Sequence, residues 1–455
     1  MSPSRHLHRT LIVSPATAPL RGEARVPGDK SISHRVLLLG ALAEGETRAT
    51  GWLPAEDCLA TMRVLRAMGV EIAHESATTV RVRGVGLRGL QEPEEILDCG
   101  GSGTTMRLLL GILAGQPFTS VLTGNAALRR RPMGRVTAPL REMGATILSR
   151  EMGGREKAPL AVRGMTLTPM DYEMPLASAQ VKSALLLAGL FASGESTVRE
   201  PGPARDHTER LLRAMGVALR VAGSHVTIAP PSAPLRPLRG PENTPYSIPS
   251  DPSSAAFPLV AATLVRGSEV RLTGVGVNPT RTGFLDILSM MGASIQQSHS
   301  ADATIEPTAY IRAQGTELNG AEIGGEVVVR AIDEFPILAV AATQAAGRTT
   351  LRDAGELRVK ESDRIASVAQ ELRKMGVSLA EREDGFVLDG PARLRGASMD
   401  SHMDHRLAMA LAVAALLAEG ESRIERAEVI DDSFPDFVEL MRSLGAEMRW
   451  EDEIL

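Results

Sequence analysis

Six phrases in this 455-residue chain close in the same way: "LRAMGVEI", "LREMGATI", "LRAMGVAL", "LSMMGASI", "LRKMGVSL" and "MRSLGAEM". Each ends an amphipathic helix on a glycine and turns into a strand, and the glycines are Gly69, Gly144, Gly216, Gly292, Gly376 and Gly445. Glycine suits the position because a helix C-terminus takes a residue tolerant of the left-handed conformation. The spacing is about 75 residues, too long for a solenoid repeat. A second phrase recurs upstream of each: "SISHRVLLLGALAEGE", "TTMRLLLGILAGQ", "SAQVKSALLLAGLFASGE", "SSAAFPLVAATLVRGSE", "EFPILAVAATQAAGRT" and "HRLAMALAVAALLAEGE". These have helical length and are apolar nearly all round, which predicts helices buried on every side. Short β-branched strands follow them, so each unit reads buried helix, strand, loop, amphipathic helix, glycine, strand.

A chain of this length exceeds what one core supports, and six units divide into three and three. The Pro-rich segment at 229–250 falls after the third unit and predicts the boundary. One domain then covers 28–249; the other covers 1–27 and 250–455, with the N-terminal strand "TLIVSP" packed into it. The composition is that of an ordinary soluble globular protein, with 43% hydrophobic and 23% charged residues. Fifty basic against 55 acidic side chains give a net charge of −5, which argues against general binding to nucleic acid or an anionic membrane. The apolar run beginning at Leu407 is too short to span a bilayer. Cys58 and Cys99 suit a reducing compartment and cannot build a disulfide framework. The first 22 residues hold no acid, as in a transit peptide, but no long apolar stretch follows and motifs begin by Gly28. A cytoplasmic protein with a ragged N-terminus is the expectation.

The unusual polar residues gather at the N-terminal ends of the buried helices: Asp29, Lys30 and Ser31; Gly101 to Thr104; Ser178 and Gln180; Asp251, Ser253 and Ser254; Asp333 and Glu334; Asp404, His405 and Arg406. Free N–H groups and the positive end of the helix dipole make such ends ready anion sites. Capping is the plainer reading for the serines and for Asp251. It does not explain Lys30 or Arg406, because a cation there is unfavourable unless an anion joins it. The loops before the amphipathic helices add Arg131, Arg205, Arg281, Lys360 and Arg364. A lone loop arginine is ordinarily a solvated charge, but several in equivalent loops of a repeat form a pattern. Four-residue spacing predicts that Ser31 and Arg35 share a helix face, as do Lys360 and Arg364, with Glu361 beside them. Such a cation–carboxylate–cation group can hold an anion and keep a proton carrier beside it, although a surface ladder has the same spacing.

Other motifs fail on their context. "GVGLRG" at 84–89 matches a dinucleotide fingerprint, but Pro93 stands where a helix should open. "GEARVPGDKS" has the wrong glycine spacing for a phosphate-binding P-loop and inserts Asp29 before the lysine. "HMDHR" lacks the partners of a metal site.

"GDKSISHR", "GSGTTMR", "RRRPMGR", "SAQVKS", "RDHTE", "NPTR", "LRVKESDR" and "MDHRLAMA" occur in that order across about residues 28–410. Together they resemble the 5-enolpyruvylshikimate-3-phosphate synthase family, and several take forms similar to its class II bacterial members. The resemblance implies a two-domain inside-out α/β barrel of six βαβαββ repeats, three per domain, with the active site in the interdomain cleft. It implies transfer of the enolpyruvyl group of phosphoenolpyruvate to the 5-hydroxyl of shikimate 3-phosphate, releasing phosphate through a tetrahedral intermediate, with no metal and no organic cofactor. On that resemblance Lys30, Ser31, Arg35, Ser178, Ala179, Gln180, Arg205, Asp333 and Lys360 would hold shikimate 3-phosphate. Lys30, Gly103, Thr104, Arg131, Gln180, Glu361, Arg364 and Arg406 would hold phosphoenolpyruvate. Lys30, Asp333, Lys360 and Glu361 would be catalytic, with Asp333 the base near the attacking hydroxyl. The chain would act as a monomer on small molecules, without nucleic acid or membrane.

Gly101 departs from the asparagine of many relatives, and Asp432 from a lysine in the last loop. Gly103 keeps the family glycine, whose replacement by alanine is associated with glyphosate tolerance; a sensitive site is the expectation. The sister transferase acting on UDP-N-acetylglucosamine carries a cysteine in a "PCxAIG"-type loop, which is absent here. A nucleotide-dependent kinase would need a true P-loop, and a repeat scaffold would carry an apolar or mixed surface stripe rather than cations at one level of each unit.

Overall fold

The computed structural model describes residues 8–299 and 305–453. Internal contacts divide them into two compact units, one of Gly28–Pro249 with Ile305 and Glu306, the other of 8–27, 250–299 and 307–453. Assigning all of 250–455 to one domain therefore needs correcting at Glu306. Its carboxylate is buried in the first unit, 2.7 Å from His207 Nδ1.

Each unit has its own apolar core and three four-stranded sheets of one plan. Leu97–Asp98 runs parallel to Thr119–Thr123, which pairs antiparallel with Arg155–Arg163, which pairs antiparallel with Thr146–Met152. Asp171–Glu173, Ser196–Arg199, His225–Ile228 and Leu219–Ala222 repeat that order. So do Glu322–Ile323, Gly347–Leu351, Gly385–Gly390 and Leu379–Arg382. The remaining sheets borrow a strand from distant sequence. Tyr246–Ser247, after the third repeat, supplies the parallel edge to Glu44–Thr50 in the first. Arg21–Ala24 does the same for Glu269–Gly276, while His8–Val13 lies antiparallel between Ser422–Glu425 and Met448–Glu453. The expected N-terminal strand is thus the inner strand of the last sheet.

The sheets surround helices that have no exposed face to offer. Every residue of Lys30–Leu42 from Ile32 onward is buried, as is all of Phe335–Thr343 and all of His405–Ala415. Gly103–Leu113, Ala179–Gly189 and Pro252–Leu264 are nearly as enclosed. Amphipathic helices such as Glu56–Ala67 and Arg364–Lys374 pack outside them, and all six glycines of the repeated phrase have positive φ, from 85° at Gly69 to 107° at Gly445. The left-handed helix ending expected from sequence is therefore present in every repeat.

Close packing of two central helices depends on Gly111, where a Cβ would lie 2.1 Å from the Ala184 carbonyl oxygen. Since that neighbour is backbone, the helices themselves must separate to admit a methyl. Gly111→Ala should lower stability by about 1–3 kcal/mol, seen as a lower thermal midpoint; an unchanged midpoint would contradict this approach.

Candidate active site

In the first unit, three buried helices bring their N-terminal ends into contact through side chains. Asp29 caps Lys30–Leu42 by accepting from Ile32 N at 2.9 Å, and Ser102 caps Gly103–Leu113 by accepting from Thr105 N at 3.1 Å. Ser178 sits at the start of Ala179–Gly189, its Oγ 3.5 Å from Val181 N. Gln180 ties the last two helices together: its Nε2 donates to Thr104 Oγ1 at 3.0 Å, and its Oε1 accepts from Arg107 Nη1 at 2.5 Å. Arg107 is buried and also donates to the Pro132 carbonyl at 3.2 Å. A Cβ on Gly103 would lie 2.8 Å from Arg107 Nη1 and 3.0 Å from Arg131 Nη1. The missing side chain is what admits two guanidinium groups over the first turn of that helix.

Lys30 Nζ lies 3.3 Å from Asp57 Oδ2, with both side chains partly exposed. Arg35, one turn on, is buried and donates to Thr208 Oγ1 and Ser183 Oγ at 2.7 Å each and to the Ser31 carbonyl at 2.9 Å. Burial brings its pKa down to about 10, with Glu209 and Asp29 working against the shift. His34 is held well below the usual imidazole range, first by burial and then by Lys30 and Arg35, so it is neutral beside Thr61. Ser31, Ala179 and Arg205 are partly exposed, in the same unit.

In the second unit the helix ends carry both signs of charge. Arg364 is buried and gives Nε to Asp404 Oδ2 at 2.8 Å, Nη1 to Asp333 Oδ1 at 3.1 Å and Nη2 to Glu361 Oε2 at 2.8 Å. Burial alone would lower its pKa, but Asp404, Glu361 and Asp333 together raise it, so the guanidinium is always charged. Lys360 Nζ reaches the same Asp333 Oδ1 at 3.5 Å. Burial dominates at Lys360 and holds its ammonium below the ordinary lysine value; Asp333 opposes that shift and Arg364 reinforces it. Arg406 lies 4.0 Å from Asp333 and 3.8 Å from Glu334. Glu334 in turn accepts from Ser253 Oγ, and Ser253 Oγ accepts from Arg281 Nη2 at 2.8 Å.

Two expectations are corrected here. Lys360 and Arg364 do not share a helix face: Lys360 is extended, φ −78° and ψ −153°, and the helix opens only at Arg364. They converge because both reach Asp333. Nor does a cation at these helix ends need a ligand to balance it, since Asp57 partners Lys30 and Asp333 and Glu334 partner Arg406.

Sequence reasoning passed over Asp57 and Arg107 as site residues and set Asp404 among the helix-end residues without giving it a role. Arg107 sits in the quoted "GSGTTMR" and Asp404 in "HMDHR", so a signal existed for both; nothing marked Asp57 beyond its place near a helix start. The "HMDHR" turn is strained, with left-handed φ of 50° at His402 and 56° at Met403. Buried Glu371 secures it, accepting from Asp400 N at 2.9 Å and lying 2.8 Å from His402 Nε2. That turn delivers Asp404 and Arg406 to the site.

Known proteins resemble this chain along nearly its whole length. The family model described as EPSP synthase (3-phosphoshikimate 1-carboxyvinyltransferase) matches residues 15–441. The 3-phosphoshikimate 1-carboxyvinyltransferase of Desulforudis audaxviator is 54% identical, covering 96% of this chain and 100% of its own. That of Pelotomaculum thermopropionicum is 55% identical over 93% and 96%. Among solved structures, EPSP synthase from Acinetobacter baumannii superposes with a TM-score of 0.85 at 42% identity, over 97% of this chain and 100% of that one. The enolpyruvyl transferase NikO from Streptomyces tendae shares the fold, with a TM-score of 0.78 at 19% identity over 98% and 100%.

The lowered proton affinity of Lys360 is open to direct measurement, because its side chain is 22% exposed. Amine acylation at Lys360, followed against pH by peptide mass spectrometry, should reach half its maximum below the 10.5 of an ordinary lysine. A midpoint at or above 10.5 would contradict the burial of the ammonium.

Proposed function

Since the chain belongs to the EPSP synthase family, and so transfers the enolpyruvyl group of phosphoenolpyruvate to shikimate 3-phosphate, we propose how its two sets of helix-end residues divide that reaction. Both substrates are small and carry a phosphate and a carboxylate. Lys30, Ser31, Arg35, Ser178, Ala179, Gln180 and Arg205 bind shikimate 3-phosphate. Within this set Arg35 works mainly from below, fixing Ser31 and the neighbouring helices, because three of its N–H groups already have protein acceptors. Arg131, Arg364 and Arg406 bind phosphoenolpyruvate, with Lys30, Gln180 and the Gly103–Thr104 turn. Guanidinium groups are suited to phosphate and carboxylate oxygens.

The chemistry makes two demands on protons. The 5-hydroxyl oxygen attacks C2 of phosphoenolpyruvate and loses its proton, while the methylene carbon gains one and becomes a methyl. The tetrahedral adduct then gives up a methyl proton as its carbon–oxygen bond to phosphate breaks, restoring the double bond. Asp333 takes the hydroxyl proton, and Lys360 and Glu361 exchange the proton at the methylene carbon. The observation that carries this reading is the convergence of Lys360 and Arg364 on Asp333, with Glu361 held by the same Arg364. A fixed cation orients the two carboxylates, and an amine whose proton is loosened by burial stands beside them. The chain works in the cytoplasm and is of the class II type; its two buried free cysteines support the first and its motif forms the second.

Phosphate release from shikimate 3-phosphate and phosphoenolpyruvate, measured in the presence of a chelator, tests the proposal. Release is expected without added metal or nucleotide; dependence on either would overturn it. Lys30→Met should reduce turnover by about 10²–10⁴-fold with an unchanged circular dichroism spectrum. Loss of the spectrum would assign Lys30 a structural role instead. Gly103→Ala should raise the KM for phosphoenolpyruvate and weaken inhibition by glyphosate, because the new methyl crowds the Arg107 and Arg131 guanidinium groups; an unchanged KM would remove the Gly103 turn from that pocket.

A further inference from the structure

Arg205 lies in a stretch outside any helix or strand. Between the strand Ser196–Arg199 and the helix His207–Ala214 the chain runs Glu200-Pro201-Gly202-Pro203-Ala204-Arg205-Asp206. Two prolines there have no N–H to donate, and the glycine adds freedom rather than restraint. Side chains secure what the backbone cannot. Lys182, in the buried helix Ala179–Gly189, has a side chain only 1% exposed. Its ammonium reaches Glu209 Oε1 at 2.7 Å, Glu200 Oε1 at 2.9 Å and the carbonyl of Ala204 at 3.1 Å. Three acceptors match its three donors. The other oxygen of Glu200 accepts from Ala204 N at 3.2 Å. Both peptide groups flanking Ala204, the residue before Arg205, are therefore tied down, one by Lys182 and one by Glu200.

We propose that Lys182 and Glu200 are positioning residues that clamp the Ala204 backbone so that the Arg205 guanidinium meets shikimate 3-phosphate. This rests on the assignment of Arg205 to that substrate. A lysine in this place is costly unless paired, and an apolar side chain of equal length would fill the same space. What the lysine adds is the bond to the Ala204 carbonyl. Burial works against its charge, but Glu209 and Glu200 outweigh it and leave the ammonium above the usual lysine value, so the clamp is charged across the physiological range.

The test is a kinetic cycle on the full-length enzyme with both substrates varied. Lys182→Met should raise the KM for shikimate 3-phosphate about tenfold, with the KM for phosphoenolpyruvate and kcat changed less than about twofold. Arg205→Ala should raise the same KM, and Lys182→Met should add nothing in the Arg205→Ala background, since a positioning residue acts only through the group it positions. Lys182→Arg, which keeps a cation, should recover most of the loss. If Lys182→Met does not fold, Glu200→Gln serves: it keeps the shape, surrenders one of two acceptors, and should give a smaller rise that also vanishes without Arg205. Multiplicative effects in the double variant, or equal changes in both KM values, would overturn the proposal. An effect of Arg205→Ala without any from Lys182→Met or Glu200→Gln would overturn the clamp while leaving Arg205 in its pocket. No effect of Arg205→Ala would remove Arg205 from the substrate and the clamp with it.

Discussion

A helix enclosed on every face can meet a ligand only at its ends. That constraint organises both units of this protein, because the six apolar repeats leave no lateral surface for chemistry. What remains at each N-terminus is a set of free N–H groups and a partial positive charge. Side-chain contacts between ends, Gln180 to Thr104 in one unit and Ser253 to Glu334 in the other, gather these features at one place in each. Sheets of a single plan, two of them completed by strands from near the N-terminus and one by Tyr246–Ser247 within the Pro-rich segment, hold the helices there.

Charge at these ends is balanced before any substrate arrives. Lys30 has Asp57, Arg406 has Asp333 and Glu334, and Arg364 has three carboxylates. Preorganisation of this kind is favourable for catalysis, since groups already fixed by the protein need not reorganise as charge develops. It also divides the labour among cations. Arg364 is buried and engages three carboxylates, a rigid element that orients acids; Lys360 is loosely partnered and deprotonates more readily than a surface lysine.

Much of this was legible in the sequence, and for identifiable reasons. The six helix-ending glycines required positive φ, and the structure gives it to each. The apolar helices announced their burial by lacking a polar face. The ordered motifs pointed to Lys30, Gln180, Asp333 and Arg364, which the fold does bring to helix ends. Contacts between distant residues were not legible. Asp57 carries no mark of its meeting with Lys30, 27 residues earlier, and the four-residue spacing of Lys360 and Arg364 suggested a helix that the chain does not form. Glu306 crosses to the other unit through a pairing with His207 that no local pattern encodes. Periodicity reports burial and turn chemistry; it is silent on which charge will find which.

The central claim is that these helix ends are built for the phosphate of the acceptor substrate and not merely capped. Calorimetric titration with shikimate 3-phosphate, and with unphosphorylated shikimate in the same buffer, tests it most directly. Two or more charge-assisted hydrogen bonds predict at least about 100-fold tighter binding of the phosphorylated compound, with an affinity that falls as salt is added. Equal affinity for the two, insensitive to ionic strength, would contradict the account.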